Sequence, residues 1–462
     1  MAAKFGTSGL RGLVTELTDE VCAAHVRAFL TVTPHDGVLL VGRDLRPSSP
    51  RHLAAVAVGA AALGVEVRDC GAVPTPALAL EAARLGAPAV MVTGSHIPAD
   101  RNGLKFYTRT GEITKADEAA ILAALAPWEG AVTLSGVPAH EGVNARYVAR
   151  FADSFGSAAL SGLTVGLYEH SAVGRDVLHD ILSALGATVR RLGRSETFIP
   201  VDTEAVDAGT REMLAGWARE GGLDALVSLD GDSDRPLLTD ATGHVVPGDI
   251  LGALTARSLS ADCVVTPVSS NTMVEAMGLG EVMRTRIGSP YVIAGMEAAL
   301  AADPAARVVG YEANGGFLLG FDAAGPAGQL APLMTRDAVL PLLATLAQTR
   351  EAGGVGALLG GLPQRRTAAD RLQGLPTETS RAMIERLTAD PRARAALLGE
   401  YGAEAGVDLT DGLRVAFESG EVVHLRPSGN APELRCYAEA ESEARAAEMV
   451  SSVLAAVRRD YG

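Results

Sequence analysis

Hydrophobic strand patterns alternate with helical patterns along most of this chain, and no other sequence feature constrains its fold as strongly. In the first round, Val38–Asp44 and Val65–Cys70 are predicted to be buried strands, with Arg51–Leu63 as a helix between them. The same alternation restarts after residue 140 and again near Asp249. Strands that alternate with helices predict βαβ units and a mainly parallel sheet, so we expect an α/β fold.

The last part of the chain follows a different pattern. Two strand-like segments, Gly412–Phe417 and Glu421–Leu425, are joined by a short Glu-Ser-Gly connection, and a third segment follows at Leu434–Ala438. Helices are predicted before and after these strands, at Thr379–Leu387 and Ser442–Arg459. Consecutive strands with short connections predict an α+β domain with an antiparallel sheet.

The chain has 462 residues, which is too long for one hydrophobic core and suggests domains of about 100–150 residues each. The Gly- and Pro-rich segment Gly353–Pro363, after a helix predicted at Thr335–Gln348, is interpreted as a linker. The expected domains are three related α/β domains, residues 1–140, 141–246 and 247–355, and an α+β domain, residues 356–462.

Composition and charge exclude several classes of protein. The net charge of −15 disfavours nucleic-acid binding, which depends on a basic surface. The longest apolar run, Ala54–Val65, is too short to span a bilayer, and the first residues lack a signal-peptide core. The cysteines are far apart and predict isolated thiols instead of disulfides or a zinc site; they are Cys22, Cys70, Cys263 and Cys436. We therefore expect a cytoplasmic protein without nucleic-acid or membrane partners.

A polar loop follows the predicted strand Ala89–Thr93, at the sheet edge where ligands of open α/β sheets bind. Gly94 allows the backbone to bend, and Ser95 then presents a hydroxyl beside His96. Lys105 can return to the same place if the loop up to Gly103 folds back. A nucleophilic serine needs such activating neighbours, although an ordinary Gly- and Pro-rich loop would have a similar composition.

A second loop, after the predicted strand Ala225–Leu229, has the sequence Asp-Gly-Asp-Ser-Asp-Arg. Carboxylates at alternate positions, Asp230, Asp232 and Asp234, can converge on a hard cation such as Mg²⁺. An EF-hand also begins in this way, but Arg235 stands at its sixth position instead of Gly and residue 241 is not Glu. The remaining alternative to a metal site is a solvated acidic turn.

Three more segments suit an anion or a sugar. Arg426-Pro-Ser-Gly-Asn430, to which Arg435 could add, combines a guanidinium with small donors that suit a phosphate. Glu312-Ala-Asn-Gly-Gly316 offers partners for sugar hydroxyls, and Lys4-Phe-Gly-Thr-Ser-Gly-Leu-Arg-Gly12 could present Arg11 to an anion. Each of the three, taken alone, is also compatible with an ordinary turn.

Together these segments resemble the α-D-phosphohexomutases, with the motifs in the order of that family: GTSGLRG, TGSH followed by NG-K, DGD-DR, the Glu-containing sugar loop and RPSG. The resemblance implies four domains around a central cleft, three α/β domains and a C-terminal domain like that of the TATA-box-binding proteins. It also implies a phosphohexomutase that transfers a phosphoryl group within a hexose phosphate through a phosphoserine and a hexose 1,6-bisphosphate.

The resemblance assigns roles to individual residues. Ser95 would be phosphorylated, and Mg²⁺ would be bound by Ser95, Asp230, Asp232 and Asp234. The implied catalytic residues are Ser95, Lys105, His96, Arg11 and Arg235. The implied substrate-binding residues are Glu312, Asn314, Gly288, Ser289, Arg426, Ser428, Gly429, Asn430 and Arg435. A hexose 1,6-bisphosphate would be the activator, and the protein would be a monomer or homodimer.

The chain departs from the common family pattern at several of these positions. Ile97 replaces an Asn, and Asn314 replaces the Ser of the sugar loop, which also lacks its His. Ser289 stands where bispecific bacterial enzymes often have His, and Asn430 stands where Thr is common. The chain is most similar to bacterial phosphomannomutases. The alternatives are a phosphoglucomutase or bispecific enzyme, a phosphoglucosamine mutase, a serine-dependent sugar phosphatase and a non-catalytic sugar-phosphate sensor.

Overall fold

The structure is a computed structural model that describes residues 3–6, 9–428 and 432–461. The chain forms two compact units. Unit 1 comprises Met1–Val264 and Gly288–Leu359, and unit 2 comprises Val265–Ile287 and Gly360–Gly462.

The strands of the described residues are short, and those in the sheet centres are mostly buried. In chain order they are β1 Lys4–Phe5, β2 Leu10–Leu13, β3 Val38–Arg43, β4 Glu66–Ala72, β5 Ala89–Val92, β6 Arg101–Thr108, β7 Gly111–Glu112, β8 Thr164–His170, β9 Thr188–Arg194, β10 Ala225–Leu229, β11 Pro236–Thr239, β12 Val245–Val246, β13 Cys263–Pro267, β14 Glu281–Thr285, β15 Val308–Tyr311, β16 Phe317–Leu319, β17 Ala323–Ala324, β18 Gln329–Leu330, β19 Leu333–Asp337, β20 Arg366–Gln373, β21 Glu404–Asp408, β22 Leu413–Phe417, β23 Val422–Pro427 and β24 Glu433–Ala440.

The helices of the described residues alternate with strands through most of unit 1, as the sequence predicts. They are α1 Asp19–Val32, α2 Ser49–Ala61, α3 Thr75–Leu85, α4 Lys115–Ala124, α5 Val143–Phe155, α6 Arg175–Ala184, α7 Ala208–Arg219, α8 Gly248–Ser258, α9 Met273–Ala276, α10 Ser289–Ala302, α11 Val339–Ala352, α12 Val355–Gly360, α13 Thr377–Ala389, α14 Pro391–Leu398 and α15 Glu443–Tyr461, with a 3₁₀ turn at Gly399–Tyr401.

Capping side chains set where several helices begin. Thr18 accepts a hydrogen bond from the Val21 amide at the start of α1, and Asp207 accepts one from the Thr210 amide at the start of α7. These side chains satisfy amide groups that the first helical turn leaves without a partner. The element boundaries therefore follow from short-range sequence signals.

The first sheet of unit 1 has the order β1-β2-β6-β5-β3-β4, with β7 paired to β6. Strand β3 is parallel to β4 and β5, as the sequence predicts, but β6 runs antiparallel to both β5 and β2. The predicted loop after β5 is therefore shorter than expected, because β6 already begins at Arg101. The antiparallel pairing places Lys105 opposite Met91, close to the loop that carries Ser95.

The second sheet of unit 1 has the order β12-β11-β10-β8-β9. Strand β8 is parallel to β9 and β10, whereas β10 and β11 form an antiparallel pair that begins at Leu229 and Pro236. All five residues of β10 are buried. The acidic loop at residues 230–235 is thus the tight connection between two buried strands.

Unit 2 contains the antiparallel sheet that the sequence predicts, with the order β20-β24-β23-β22-β21. Its core is an apolar cluster that includes Leu387, Val415, Leu425 and Met449. The prediction missed two strands of this sheet, β20 and β21. Their residues are mostly polar or exposed, so they carry little hydrophobic periodicity.

Two predictions near the end of unit 1 are wrong. Residues Leu333–Asp337 form β19 and not the first turn of a helix; helix α11 starts only at Val339. The Asp337 carboxylate accepts hydrogen bonds from the amides of Val339 (2.8 Å) and Leu340 (3.3 Å), which begins the helix after the strand. The predicted linker Gly353–Pro363 contains the short helix α12.

The predicted thiols are confirmed: all four cysteines lie among the described residues, all are buried, and none forms a disulfide. Within residues 3–6, 9–428 and 432–461, no helix combines the length and apolar character that a bilayer span needs. The mixed α/β fold class is confirmed by the sheets above, whereas the three boundaries between the four predicted domains stay a prediction.

Helix packing in unit 1 generates the first testable prediction, on Gly59 of α2. A Cβ atom at Gly59 would lie 2.4 Å from the carbonyl oxygen of Ala23 in α1, so Gly59→Ala should destabilise the protein by about 1–3 kcal/mol through overpacking. The matched variant Gly216→Ala in α7, where only the flexible end of Arg219 is near, should be neutral or stabilise by about 1 kcal/mol. Urea unfolding followed by circular dichroism measures both; equal effects of the two variants would contradict the close packing of α1 on α2.

Candidate active site

Ser95 lies in the connection between β5 and β6, in a backbone conformation that is unfavourable for a serine. Its φ is 54°, in the left-handed region, which costs a residue other than glycine about 1 kcal/mol or more. The Ser95 amide donates to Thr93 Oγ1 at 2.8 Å, and the Ser95 side chain is fully buried. The loop therefore holds this hydroxyl in one defined position.

Arg46, which the sequence analysis missed, fixes the loop that carries Ser95. Its guanidinium is fully buried and donates to the carbonyl oxygens of Ser95 (2.7 Å), Ile97 (2.7 Å) and Pro98 (2.9 Å). Any side chain at Gly94 would begin 2.7 Å from this guanidinium. Gly94 is therefore required by the close approach of Arg46 as well as by the turn.

Asp44 fixes Arg46 in turn and lies at the end of β3. Its carboxylate accepts hydrogen bonds from Arg46 Nε (3.1 Å), Ser49 Oγ (2.6 Å) and Thr93 Oγ1 (2.8 Å). Because β3 and β5 are parallel neighbours, their carboxyl ends meet at one edge of the sheet. Asp44 and Arg46 could therefore have been predicted as site residues, because they are polar residues directly after a buried strand.

The three aspartates of the acidic loop converge. Asp230, Asp232 and Asp234 are fully buried, and one carboxylate oxygen of each lies within 4.8 Å of the others. Asp230 Oδ1 accepts from the amides of Asp234 (3.1 Å) and Arg235 (3.2 Å), which closes the loop. Its other oxygen, Oδ2, accepts from Ser95 Oγ at 2.7 Å. The structure therefore brings the predicted nucleophile and the predicted metal loop together.

Two buried cations balance this acidic cluster. Lys105 Nζ donates to Asp232 Oδ2 and Asp234 Oδ2, both at 2.6 Å. Arg336 of β19, which the sequence did not single out, donates to Asp234 Oδ2 from Nε (3.0 Å) and Nη2 (2.9 Å). Buried charges persist only when they are paired in this way.

The pKa values of the three aspartates move in different directions. Burial, together with Asp232 and Asp234, raises the pKa of Asp230 well above its usual range. Burial also acts to raise the pKa of Asp232 and Asp234, but the opposite charges of Lys105 and, for Asp234, Arg336 outweigh it and lower both pKa values. Two of the three carboxylates are thus held ionised by fixed cations.

The carboxylate oxygens of this cluster fit a divalent metal ion as ligands. Asp232 Oδ1 and Asp234 Oδ1 are buried and, among the described residues, accept no hydrogen bond. A buried carboxylate oxygen without a donor is costly. Convergent carboxylate oxygens are also the ligands that hard cations of the Mg²⁺ type prefer. The acidic cluster is therefore the candidate metal site of the described part of the chain.

His96 and Arg235 form a hydrogen-bonded pair beside Ser95, and Arg11 lies in the same electrostatic environment. Arg235 Nη1 donates to His96 Nδ1 at 2.8 Å, and Ser95 Oγ is 3.5 Å from the same nitrogen. Burial, followed by the positive charge of Arg235, lowers the pKa of His96 to about 3. Burial and the like charges of Arg235 and Arg336 lower the pKa of Arg11 to about 10. His96 is therefore neutral near pH 7, and Arg11 is charged.

The sugar-loop residues lie at the end of β15, in the same unit. Glu312 is buried, and its Oε2 accepts from Arg336 Nη1 at 3.2 Å. Asn314 Oδ1 accepts from the Gly316 amide at 3.0 Å and so shapes the turn itself. Gly288 adopts a φ of 131° just before α10, whose first residue is Ser289. The hydroxyl of Ser289 donates to Glu112 Oε2 at 2.9 Å.

The predicted phosphate-loop residues belong to unit 2. Arg426 Nε pairs with Asp411 Oδ2 at 2.9 Å, and the Ser428 amide donates to the Glu433 carbonyl at 2.9 Å. Arg435 Nη2 lies 3.4 Å from Glu433 Oε1. The predicted positions Gly429 and Asn430 lie outside the described residues. The role of this loop stays a prediction.

Comparison with known proteins identifies the family to which the chain belongs. Three family models match the chain: phosphoglucomutase/phosphomannomutase alpha/beta/alpha domain I at residues 2–129, alpha/beta/alpha domain III at residues 247–365, and the C-terminal domain at residues 380–456. The chain belongs to the phosphoglucomutase/phosphomannomutase family, the α-D-phosphohexomutases.

Two relatives and one solved structure show which members of the family the chain is similar to. The chain is 46% identical to a phosphomannomutase of Sinorhizobium fredii, with 98% of each chain covered. It is 42% identical to a phosphomannomutase of Salmonella muenchen, over 99% of this chain and 96% of the relative. Its fold matches a solved phosphoglucomutase/phosphomannomutase family protein from Burkholderia thailandensis, with a TM-score of 0.76, 22% identity and coverage of 98% of this chain and 96% of the other.

The buried His96–Arg235 pair predicts an unusual titration. His96 signals in a histidine-labelled NMR spectrum should not move between pH 5 and 8, whereas in urea they should shift with a midpoint near about 6.5. Because folding lowers this pKa to about 3, the unfolded state takes up a proton first, and His96 should destabilise the folded state as the pH falls from 6.5 toward 3. A folded-state midpoint between pH 5 and 8 would contradict this assignment.

Proposed function

We propose that this chain is a phosphomannomutase, which interconverts mannose 6-phosphate and mannose 1-phosphate through a phosphoserine and a hexose 1,6-bisphosphate. The observation that carries the proposal is the buried Ser95 hydroxyl, which donates to Asp230 at 2.7 Å within a cluster of three aspartates. Identities of 46% and 42% to two phosphomannomutases over nearly the whole chain support the choice of sugar.

Ser95 would act as the phosphoryl carrier. The phosphorylated serine gives its phosphoryl group to the free hydroxyl of a hexose monophosphate: the O–P bond to Ser95 breaks and a new O–P bond to the sugar forms. The bisphosphate then reorients in the site, and its other phosphoryl group is transferred from the sugar oxygen to Ser95. The sugar hydroxyl loses a proton as its O–P bond forms, and Ser95 Oγ gains a proton as its own O–P bond breaks. We assign Lys105, whose Nζ lies within the acidic cluster, as the acid/base that relays this proton and is restored at the end of the step.

Asp230, Asp232 and Asp234 would hold Mg²⁺ together with an oxygen of phosphorylated Ser95. Bound Mg²⁺ neutralises negative charge on a phosphoryl group during its transfer. Arg11 and Arg235 add fixed positive charge, and neutral His96 remains a hydrogen-bonding partner. The chain's own residues therefore position the phosphoryl group and stabilise its charge, which is the main requirement of phosphoryl transfer.

The remaining predicted residues would bind the sugar and its second phosphate. In the proposal, the sugar is bound by Glu312, Asn314, Gly288 and Ser289, and the phosphate that does not react is bound by Arg426, Ser428, Gly429, Asn430 and Arg435.

A trace of hexose 1,6-bisphosphate would activate the enzyme by phosphorylating Ser95. We place the enzyme in the cytoplasm, where sugar phosphates are available, and divide it into domains at residues 140, 246 and 355.

A ³¹P NMR time course tests this function. Protein, Mg²⁺ and a trace of hexose 1,6-bisphosphate are mixed with mannose 1-phosphate or glucose 1-phosphate. A 6-phosphate signal that grows faster with mannose and without inorganic phosphate supports the proposal. Faster reaction with glucose would make the chain a phosphoglucomutase. Release of inorganic phosphate alone would make it a phosphatase, and no reaction with either sugar would direct the test to glucosamine 1-phosphate.

The carrier role predicts a selective loss in Ser95→Ala. Mutase activity should fall by at least about 10³-fold, since no other group replaces the nucleophile, while the thermal midpoint changes little. Ser154→Ala is the matched control: Ser154 is also buried, but in the described part of the chain its hydroxyl donates to the carbonyl oxygens of Arg150 and Gln329 and to no group of the acidic cluster. Its activity should stay within about twofold of the parent protein, and normal turnover in Ser95→Ala would rule out the carrier role.

A further inference from the structure

Arg336 donates hydrogen bonds to both the acidic loop and the sugar loop. Its Nε and Nη2 both donate to Asp234 Oδ2, at 3.0 and 2.9 Å, while Nη1 donates to Glu312 Oε2 at 3.2 Å and to Ser289 Oγ at 3.1 Å. The side chain is only 3% exposed. The sugar loop Glu-Ala-Asn-Gly-Gly contains no basic residue, so Arg336 supplies its positive charge from β19.

A second layer of hydrogen bonds limits the positions that Arg336 can adopt. Glu112 of β7 accepts from Ser289 Oγ (2.9 Å) and from Thr335 Oγ1 (2.7 Å). Thr335 precedes Arg336 on β19, and Ser289 contacts Arg336 directly. The guanidinium is therefore held from both sides, and its planar fork can fix carboxylates in one orientation.

The orientation of Asp234 follows from these contacts. Oδ2 receives both hydrogen bonds from Arg336 and one from Lys105 at 2.6 Å. Oδ1 accepts no hydrogen bond among the described residues, and Arg235 Nε lies 3.7 Å from it. Arg336 and Lys105 thus both occupy Oδ2, and Oδ1 is left for a metal ion.

We infer that Arg336 is a positioning residue that couples the metal site to the sugar loop, by fixing Asp234 for the metal and Glu312 for the sugar with one guanidinium. The part that concerns the sugar rests on the proposed function. The part that concerns the metal rests only on the acidic cluster. Partners of metal ligands commonly change metal affinity by about 10–100-fold when they are replaced.

Simple electrostatics makes the opposite prediction, which makes the inference testable. Removal of a positive charge beside three carboxylates should tighten cation binding if Arg336 only balances charge. Arg336→Lys keeps the charge but loses the fork, so pure charge balance predicts no change for it. Positioning predicts weaker binding in both Arg336→Lys and Arg336→Gln.

The test is titration of the full-length protein with Mg²⁺ by calorimetry, without any sugar, and with Mn²⁺ by electron paramagnetic resonance. Arg336→Lys and Arg336→Gln should raise the dissociation constant by about 10–100-fold. The control is Arg394→Lys, since Arg394 is also a buried arginine and pairs with both oxygens of Glu404 at 2.7 Å in unit 2. It should leave the dissociation constant within about twofold of the parent.

The coupling between the metal site and the sugar loop is tested with a separate single variant, Glu312→Gln. This variant should raise KM for the hexose phosphate and leave the Mg²⁺ dissociation constant unchanged, whereas Arg336→Lys should change both. Unchanged or tighter Mg²⁺ binding in both Arg336 variants would overturn the inference, as would an unchanged KM in Arg336→Lys. If the parent protein shows no mutase activity, the proposed function fails, but the metal titration still decides the role of Arg336.

Discussion

Three carboxylates that are fully buried within 4.8 Å of one another form the constraint on which the site depends. Their mutual repulsion is large away from water, so the fold is stable only if cations are fixed beside them. Lys105 from β6 and Arg336 from β19 meet this requirement for Asp232 and Asp234. Asp230, whose pKa is raised, instead accepts the hydrogen bond of the Ser95 hydroxyl.

The architecture of unit 1 brings these groups together. Strands β5, β10 and β15 each end at a polar loop, so one buried strand leads to the serine, one to the aspartates and one to the sugar loop. The antiparallel return of β6 then inserts Lys105 into the cluster. Rigid strands place the proposed reacting groups, and Arg46 and Arg336 fix the loops that carry them. Such preorganisation is what phosphoryl transfer requires.

Much of this could be predicted from the sequence, because each motif is local: the loops at Ser95 and Asp230 follow strands whose hydrophobic patterns are clear. The partners of the motifs could not be predicted. Arg336 is 102 residues from Asp234, and Thr335 is 223 residues from Glu112. The predicted helix Thr335–Gln348 even includes Arg336, which the structure places on β19. Such contacts depend on how the strands pair, and a single sequence carries no signal for that.

Transfer of a radioactive label to the enzyme tests directly whether Ser95 carries the phosphoryl group. Protein is incubated with mannose 1,6-bisphosphate labelled with ³²P, denatured and digested with trypsin, which releases Ser95 in the peptide Leu85–Arg101. We predict one labelled phosphoserine, at Ser95, and loss of that label to the sugar when unlabelled mannose 6-phosphate is added before denaturation. Label at another residue, or label released only as inorganic phosphate, would contradict it.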